Sequence, residues 1–226
     1  MLMKDERKQI VEYGKRMSLA GLTKGTAGNI SAYDPQTGYM AISPSGIGYS
    51  ETQPEDIVIM TLDGKVIEGE RVPSSEYDLH ATIYREKPDA RAAVHTHSKY
   101  CTALACMRKP LKAVHYIIAS AGVAEIPCTD YATFGTEELA NNLKQVMGES
   151  RAALLANHGA IFCGPDMKRA FGLAVSCEYC AEIQLMCEYV GKDKAVVLNN
   201  EEISAVMERF SSYGQATEDK TCINGY

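Results

Sequence analysis

The sequence predicts an α/β domain of three layers, with helices on both faces of a central mixed, mostly antiparallel sheet. Three observations predict it. Strand-like and helix-like runs interleave along 226 residues without the regular rhythm of parallel βα units. Asp63-Gly64 separates the apolar runs Asp56–Met60 and Gly64–Glu68, which is hairpin chemistry. The run Arg91–His97 alternates apolar and polar residues, as a half-buried strand does.

The elements follow in order. Asp5–Leu22 spaces Ile10, Val11, Tyr13, Met17 and Leu19 as an amphipathic helix, and Gly21 loosens its end. Thr23–Gly28 is a small-residue loop leading into the strand-like Asn29-Ile30-Ser31. Tyr39–Ser43 reads as a short strand, with a second small-residue loop at Pro44–Gly48. After the hairpin, Ser74 is placed to cap a helix over Glu76–Tyr84. Helices are expected around Ser98–Met107, at Glu137–Met147, over Met167–Val190 and at Glu201–Phe210. Lys112–Ile118 reads as a strand or apolar turn, and Arg151–Phe162 as strand-like. No linker or repeat interrupts the chain, so one domain is expected over 1–215, with 216–226 a polar, mobile tail.

Composition narrows the function classes. A hydrophobic share of 46% against 23% charged residues suits a soluble chain with a sizeable core. A net charge of −6 argues against a nucleic-acid partner. No apolar run approaches the roughly 18–20 residues of a membrane span, and the first residues lack a signal-peptide core, so a cytoplasmic protein with no membrane partner is expected. The eight cysteines lie scattered in apolar segments, as buried small hydrophobes do in a reducing compartment. Cys177-Glu178-Tyr179-Cys180 has CxxC spacing but no second pair, and reads as helix packing.

The chemistry concentrates at Val94-His95-Thr96-His97-Ser98. Residues two apart on a strand share a face, so His95 and His97 present two imidazoles spaced to share one cation. A third, His158, precedes Gly159 in another strand-like run; with one carboxylate, Glu76, the set suits a tetrahedral divalent metal such as zinc. Glu76 alone reads by default as a first-turn carboxylate stabilised by the helix dipole. His80 and His115 read as packing or hydrogen-bonding residues. Three small-residue stretches, Gly25–Ser31, Pro44–Gly48 and Pro73–Ser75, each offer amides or hydroxyls to an anion such as phosphate. Residue spacing points to a catalytic metal site here and leaves the reaction open.

These stretches, in this order, resemble the class II aldolase family that contains L-fuculose-1-phosphate aldolase and L-ribulose-5-phosphate 4-epimerase. The resemblance runs from about Arg7 to Gln215. It rests on Gly25-Thr26-Ala27-Gly28-Asn29-Ile30-Ser31, Ser43-Pro44-Ser45-Gly46, Pro73-Ser74-Ser75-Glu76, His95-Thr96-His97, Asn157-His158-Gly159 and Tyr213-Gly214. His115-Tyr116 followed by Tyr131–Gly135 is similar to the fuculose-phosphate aldolase branch.

The resemblance implies a homotetramer with active sites between subunits and one Zn2+ per subunit on Glu76, His95, His97 and His158. It implies Glu76 as general acid/base, and Gly28, Asn29, Ser45, Gly46, Ser74 and Ser75 as the phosphate cradle. Tyr116 of a neighbouring subunit is implied to protonate the departing aldehyde oxygen, while Phe134 and Tyr213 shape the aldehyde end. The reaction implied is cleavage of a phosphorylated sugar, L-fuculose 1-phosphate first, to dihydroxyacetone phosphate and L-lactaldehyde.

Three rivals stand beside this reading. Substrates of the 5-deoxy- or 5-methylthio-ribulose 1-phosphate type, for an aldolase or a dehydratase, share the phosphate and metal-binding ends. A 4-epimerase is disfavoured because the acidic residue after Ser74-Ser75 is Glu76 where the epimerases carry aspartate. A non-catalytic metal- or sugar-phosphate-binding protein is disfavoured by the presence of both Glu76 and Tyr116.

Overall fold

The computed structural model describes residues 1–191, 195–210 and 212–213; the tail expected over 216–226 lies outside the described residues. Strands β1 (Asn29–Asp34), β2 (Tyr39–Ile42), β3 (Val58–Thr61) and β4 (Val66–Glu68) form an antiparallel meander after helix α1 (Lys4–Leu19). Helix α2 (Tyr77–Glu86) then leads to β5 (Ala92–Thr96), which returns to pair with β1, Asn29 opposite His95. Helix α3 (Lys99–Cys106) and a small two-stranded sheet, β6 (Leu111–Lys112) with β7 (Glu125–Ile126), precede α4 (Glu137–Met147). The hairpin β8 (Ala152–Leu155) and β9 (Gly159–Gly164) completes the large sheet, followed by α5 (Met167–Val190) and α6 (Asn200–Phe210).

The large sheet has seven strands in the order β4-β3-β2-β1-β5-β9-β8. Every pairing in it is antiparallel, and the parallel content expected of a mixed sheet is confined to the isolated bridge Cys128–Leu154.

Alternation along β5 explains the three layers. Ala92 and Val94 face a core built with Ile10 and Met17 of α1, Leu104 of α3 and Phe171 of α5. Ala93 faces the opposite core, with Leu79 and Ile83 of α2 and Leu139 and Leu143 of α4. With both faces covered, β5 is buried along its whole length.

Three expectations change in detail. The helix expected from Glu76 begins at Tyr77, and no side chain caps it; Ser74 Oγ instead accepts from the Glu76 N–H at 3.3 Å, closing the turn before the helix. Lys112–Ile118 is neither one strand nor one turn: β6 ends at Lys112 and a 3₁₀ helix runs over Tyr116–Ala121. His158 lies in the reversal between β8 and β9 rather than within a strand, because Asn157 takes a left-handed conformation (φ 55°) that turns the chain there. Cys177 and Cys180 are unpaired and buried on α5. Among the described residues no helix is long and apolar enough to cross a membrane.

Candidate active site

Sheet register assembles the site at one end of β1, β5 and β9. Asn29 opens β1 opposite His95, His97 lies just past the end of β5, and Thr96 pairs with Ala160 so that His158 swings beside them. The Thr23–Gly28 loop is held against this end, since the His97 N–H donates to the Leu22 carbonyl at 3.1 Å. Gly28 has φ 72°, and a Cβ there would stand 2.7 Å from the His95 carbonyl oxygen. Only glycine fits both constraints. The other two small-residue loops are laced together: Ser45 N–H donates to the Val72 carbonyl at 2.9 Å and Ser74 N–H to the Ser43 carbonyl at 3.1 Å. That lacing sets Ser45 and Gly46 beside Ser74 and Ser75.

Three imidazoles meet in a triangle, each pair of ring centroids 4.8 Å apart and each pair of planes inclined by 69–87°. His95 Nε2 and His97 Nε2 are 2.9 Å apart. Glu76 closes the group, with Oε2 3.3 Å from His95 Nε2 and Oε1 3.3 Å from His158 Nε2. One ligand atom from each of the four residues lies within 4.8 Å of the others.

The donor set fits a divalent metal. His95 Nδ1 sits 2.9 Å from the Ala160 carbonyl, which only accepts, so the ring proton is there and Nε2 keeps its lone pair facing inward. Glu76 Oε1 is buried without a hydrogen-bond partner. Burial, with mutual repulsion among the rings, pushes both His97 and His158 down to about 4, so these imidazoles are neutral near pH 7. Burial alone would raise the Glu76 carboxyl, but neighbouring His95 and His158 and the Asn29 amide outweigh it and hold the group well below the usual carboxylate range. One carboxylate and three inward nitrogen lone pairs are what such a cation requires.

A cleft of about 340 Å³ opens over this group. It is lined by Glu76, His97 and His158 together with Gly28, Asn29, Ser45, Gly46, Ser74, Ser75 and Phe134. The structure therefore brings these expected residues together, with fully buried His95 behind them. Two others it does not bring: neither Tyr116 nor Tyr213 lines the cleft of the same chain. Tyr116 begins the 3₁₀ helix, its ring 4.6 Å from that of His115, and is about half exposed. Thr26, Tyr131 and Asn157 line the cleft unforeseen. Tyr131 opens the Tyr131–Gly135 stretch that carries part of the family resemblance, and Asn157 stands beside His158.

Comparison with known proteins decides the family. The Class II Aldolase and Adducin N-terminal domain family matches residues 8–185. The chain belongs to the class II aldolase family. A 5-deoxy-D-ribulose 1-phosphate aldolase of Bacillus thuringiensis is 48% identical over 215 residues, spanning 95% of this chain and all of that protein. An L-fuculose phosphate aldolase of Escherichia coli K12 is 40% identical over 212 residues, 94% of this chain and 97% of the relative. A solved L-fuculose 1-phosphate aldolase superposes with a TM-score of 0.89 at 42% identity, covering 93% of this chain and 98% of that one. The protein is thus a class II aldolase acting on sugar phosphates, with a His/Glu cluster suited to a metal.

Proposed function

We propose that this aldolase cleaves a 5-deoxypentulose 1-phosphate, 5-deoxyribulose 1-phosphate first, to dihydroxyacetone phosphate and acetaldehyde, with Zn2+ as its metal. The observation that carries this reading is the 48% identity along the full length of a relative named for that substrate. The cleft agrees in character: Tyr131, Ala132 and Phe134 are among its lining residues, side chains suited to a methyl-ended aldehyde. L-fuculose 1-phosphate, the first expectation from sequence, stays as the second reading because the 0.89 structural match carries that name.

Glu76, His95, His97 and His158 would hold the metal, which supplies Lewis-acid charge for the substrate's carbonyl end. Amides and hydroxyls at Gly28, Asn29, Ser45, Gly46, Ser74 and Ser75 bind the phosphate and orient the sugar. Cleavage breaks the C3–C4 bond: the C4 hydroxyl passes its proton by way of Tyr116 to water, and the electron pair of the bond goes to C3 of the three-carbon fragment. Glu76, released from the donor set and protonated from water, delivers a proton there. Tyr116, reaching the cleft from a neighbouring subunit of a homotetramer, handles the C4 oxygen, and Tyr213 with Phe134 encloses the aldehyde. The single-domain organisation over 1–215 and a cytoplasmic setting complete the proposal.

The test is release of dihydroxyacetone phosphate, coupled to NADH oxidation, from 5-deoxyribulose 1-phosphate and from L-fuculose 1-phosphate, with and without chelator. A higher kcat/KM on the deoxypentulose, abolished by chelator and restored by Zn2+, is expected. Preference for L-fuculose 1-phosphate would replace the first reading by the second.

A further inference from the structure

A buried row of polar side chains leads from Glu76 away from the cleft. Asn29 Nδ2 donates to Glu76 Oε2 at 2.9 Å, and Asn29 Oδ1 lies 2.5 Å from His80 Nε2. On the far side of the ring, Ser31 Oγ is 2.6 Å from His80 Nδ1 and 2.7 Å from Tyr84 Oη. His80 and Ser31 are completely buried, and Asn29 and Tyr84 are 5% exposed. Two periodicities produce the row. Asn29 and Ser31 are two apart on β1, Glu76, His80 and Tyr84 four apart down one face of α2, and the faces meet.

Its direction is forced. An ionised carboxylate only accepts, so the Asn29 NH2 faces Glu76 and its oxygen faces His80. His80 must then carry its proton on Nε2. Burial, followed in weight by repulsion from His95, pushes His80 down to about 3, so it has one ring proton and Nδ1 accepts, from Ser31. With its single hydrogen spent, Ser31 accepts from the Tyr84 hydroxyl, whose proton burial holds in place. Every donor points toward Glu76.

We propose that His80, backed by Ser31 and Tyr84, is a positioning residue that fixes the Asn29 amide and, through it, the Glu76 carboxylate. Without the Nε2 donor the amide is free to rotate and present its oxygen to Glu76, which repels the carboxylate from its place in the donor set. The second Asn29 Nδ2 hydrogen stays available to a substrate oxygen in the cleft, so one amide couples substrate to the acid/base. The kinetic part of this inference rests on the aldolase reading; the tautomer and the metal affinity do not.

The experiment uses full-length protein. In 15N-histidine-labelled wild type, the resonance pair lost in His80→Gln is expected to report an Nε2–H ring that does not change between pH 5.5 and 8. An Nδ1–H ring, or titration in that range, overturns the proposal. Zn2+ affinity by chelator competition is expected to fall about 10-fold or more in His80→Leu, with kcat falling by a similar factor. His80→Gln, whose amide again offers an N–H toward Asn29, is expected to recover both to within about 3-fold of wild type by the same donor argument. Should His80→Leu not fold, Ser31→Ala serves instead: it removes the hydroxyl that fixes the ring, and the same losses are expected at smaller size. A folded His80→Leu or Ser31→Ala with wild-type affinity and kcat overturns the proposal. If wild type cleaves no ketose phosphate, the substrate reading fails, and tautomer and Zn2+ affinity still decide the role of His80.

Discussion

Glu76 is held by contacts that suit the two roles proposed for it. Its oxygens face His95 and His158 at 3.3 Å, while Asn29 grips it from the side. A Glu76→Gln variant keeps the three imidazoles, so it should retain metal by elemental analysis while kcat falls about 10²–10⁴-fold, the usual weight of a lost acid/base. Unchanged turnover would remove Glu76 from the mechanism. Gly28→Ala should lower stability by about 1–3 kcal/mol in urea unfolding, from the positive φ, and also disturb the His95 carbonyl it would crowd. The grouping of the candidate ligands was readable because two histidines at a spacing of two share a strand face without knowledge of the fold. For His80 only a packing or hydrogen-bonding part was readable; it does hydrogen-bond, but its partners Asn29 and Ser31 stay hidden until the strand beside the helix is known. The readable trace was Glu76, His80 and Tyr84 at intervals of four, facing Asn29 and Ser31 at an interval of two.

Among the elements, the strands β1, β5 and β9 matter most, because their register converts distant sequence positions into neighbours. Hydrophobic period made most helices and the hairpin at Asp63-Gly64 legible. The reversal at Asn157 was hidden, since an apolar run on each side of a short turn looks continuous. Arg7 was hidden too. A charged residue in the first turns of α1 reads as solvent-facing, yet it is 1% exposed, donating to the Leu2 and Pro54 carbonyls at 2.9 and 3.0 Å and pairing with Glu68 at 2.8 Å. It fastens α1 to the β3–β4 edge of the sheet. Arg7→Met should cost about 2–4 kcal/mol in urea unfolding, because carbonyls and a carboxylate lose a buried donor together; a cost below the measurement error would show that water replaces it freely.

For the whole molecule, the buried imidazoles tie stability to pH. The His80, His97 and His158 positions are held below the ordinary histidine value, at about 3, 4 and 4. The unfolded chain therefore binds more protons than the folded one as pH falls from about 6.5 toward 4. Their contribution is complete above that window and is lost through it on acidification. Metal-free protein should accordingly unfold at a lower urea midpoint at pH 5 than at pH 7.5; an equal or higher midpoint at pH 5 would contradict the neutral assignment. A divalent metal held only by the assembled site, Zn2+ on the proposed reading, should at 100-fold above its Kd add about 2.7 kcal/mol at neutral pH, an increment that chelator removes.

The pairing of Asn29 with His95, and of His95 with Ile161, also sets a timetable. Closing loops of that length is slow compared with forming a local hairpin such as β8–β9. The triangle of imidazoles therefore does not exist until the long-range ladder has zipped, and a metal ion would arrive as a late passenger rather than a nucleus. When refolding is followed with cobalt in place of zinc, the visible absorption of the tetrahedral ion should rise with the slowest phase, after most of the helical circular dichroism has returned.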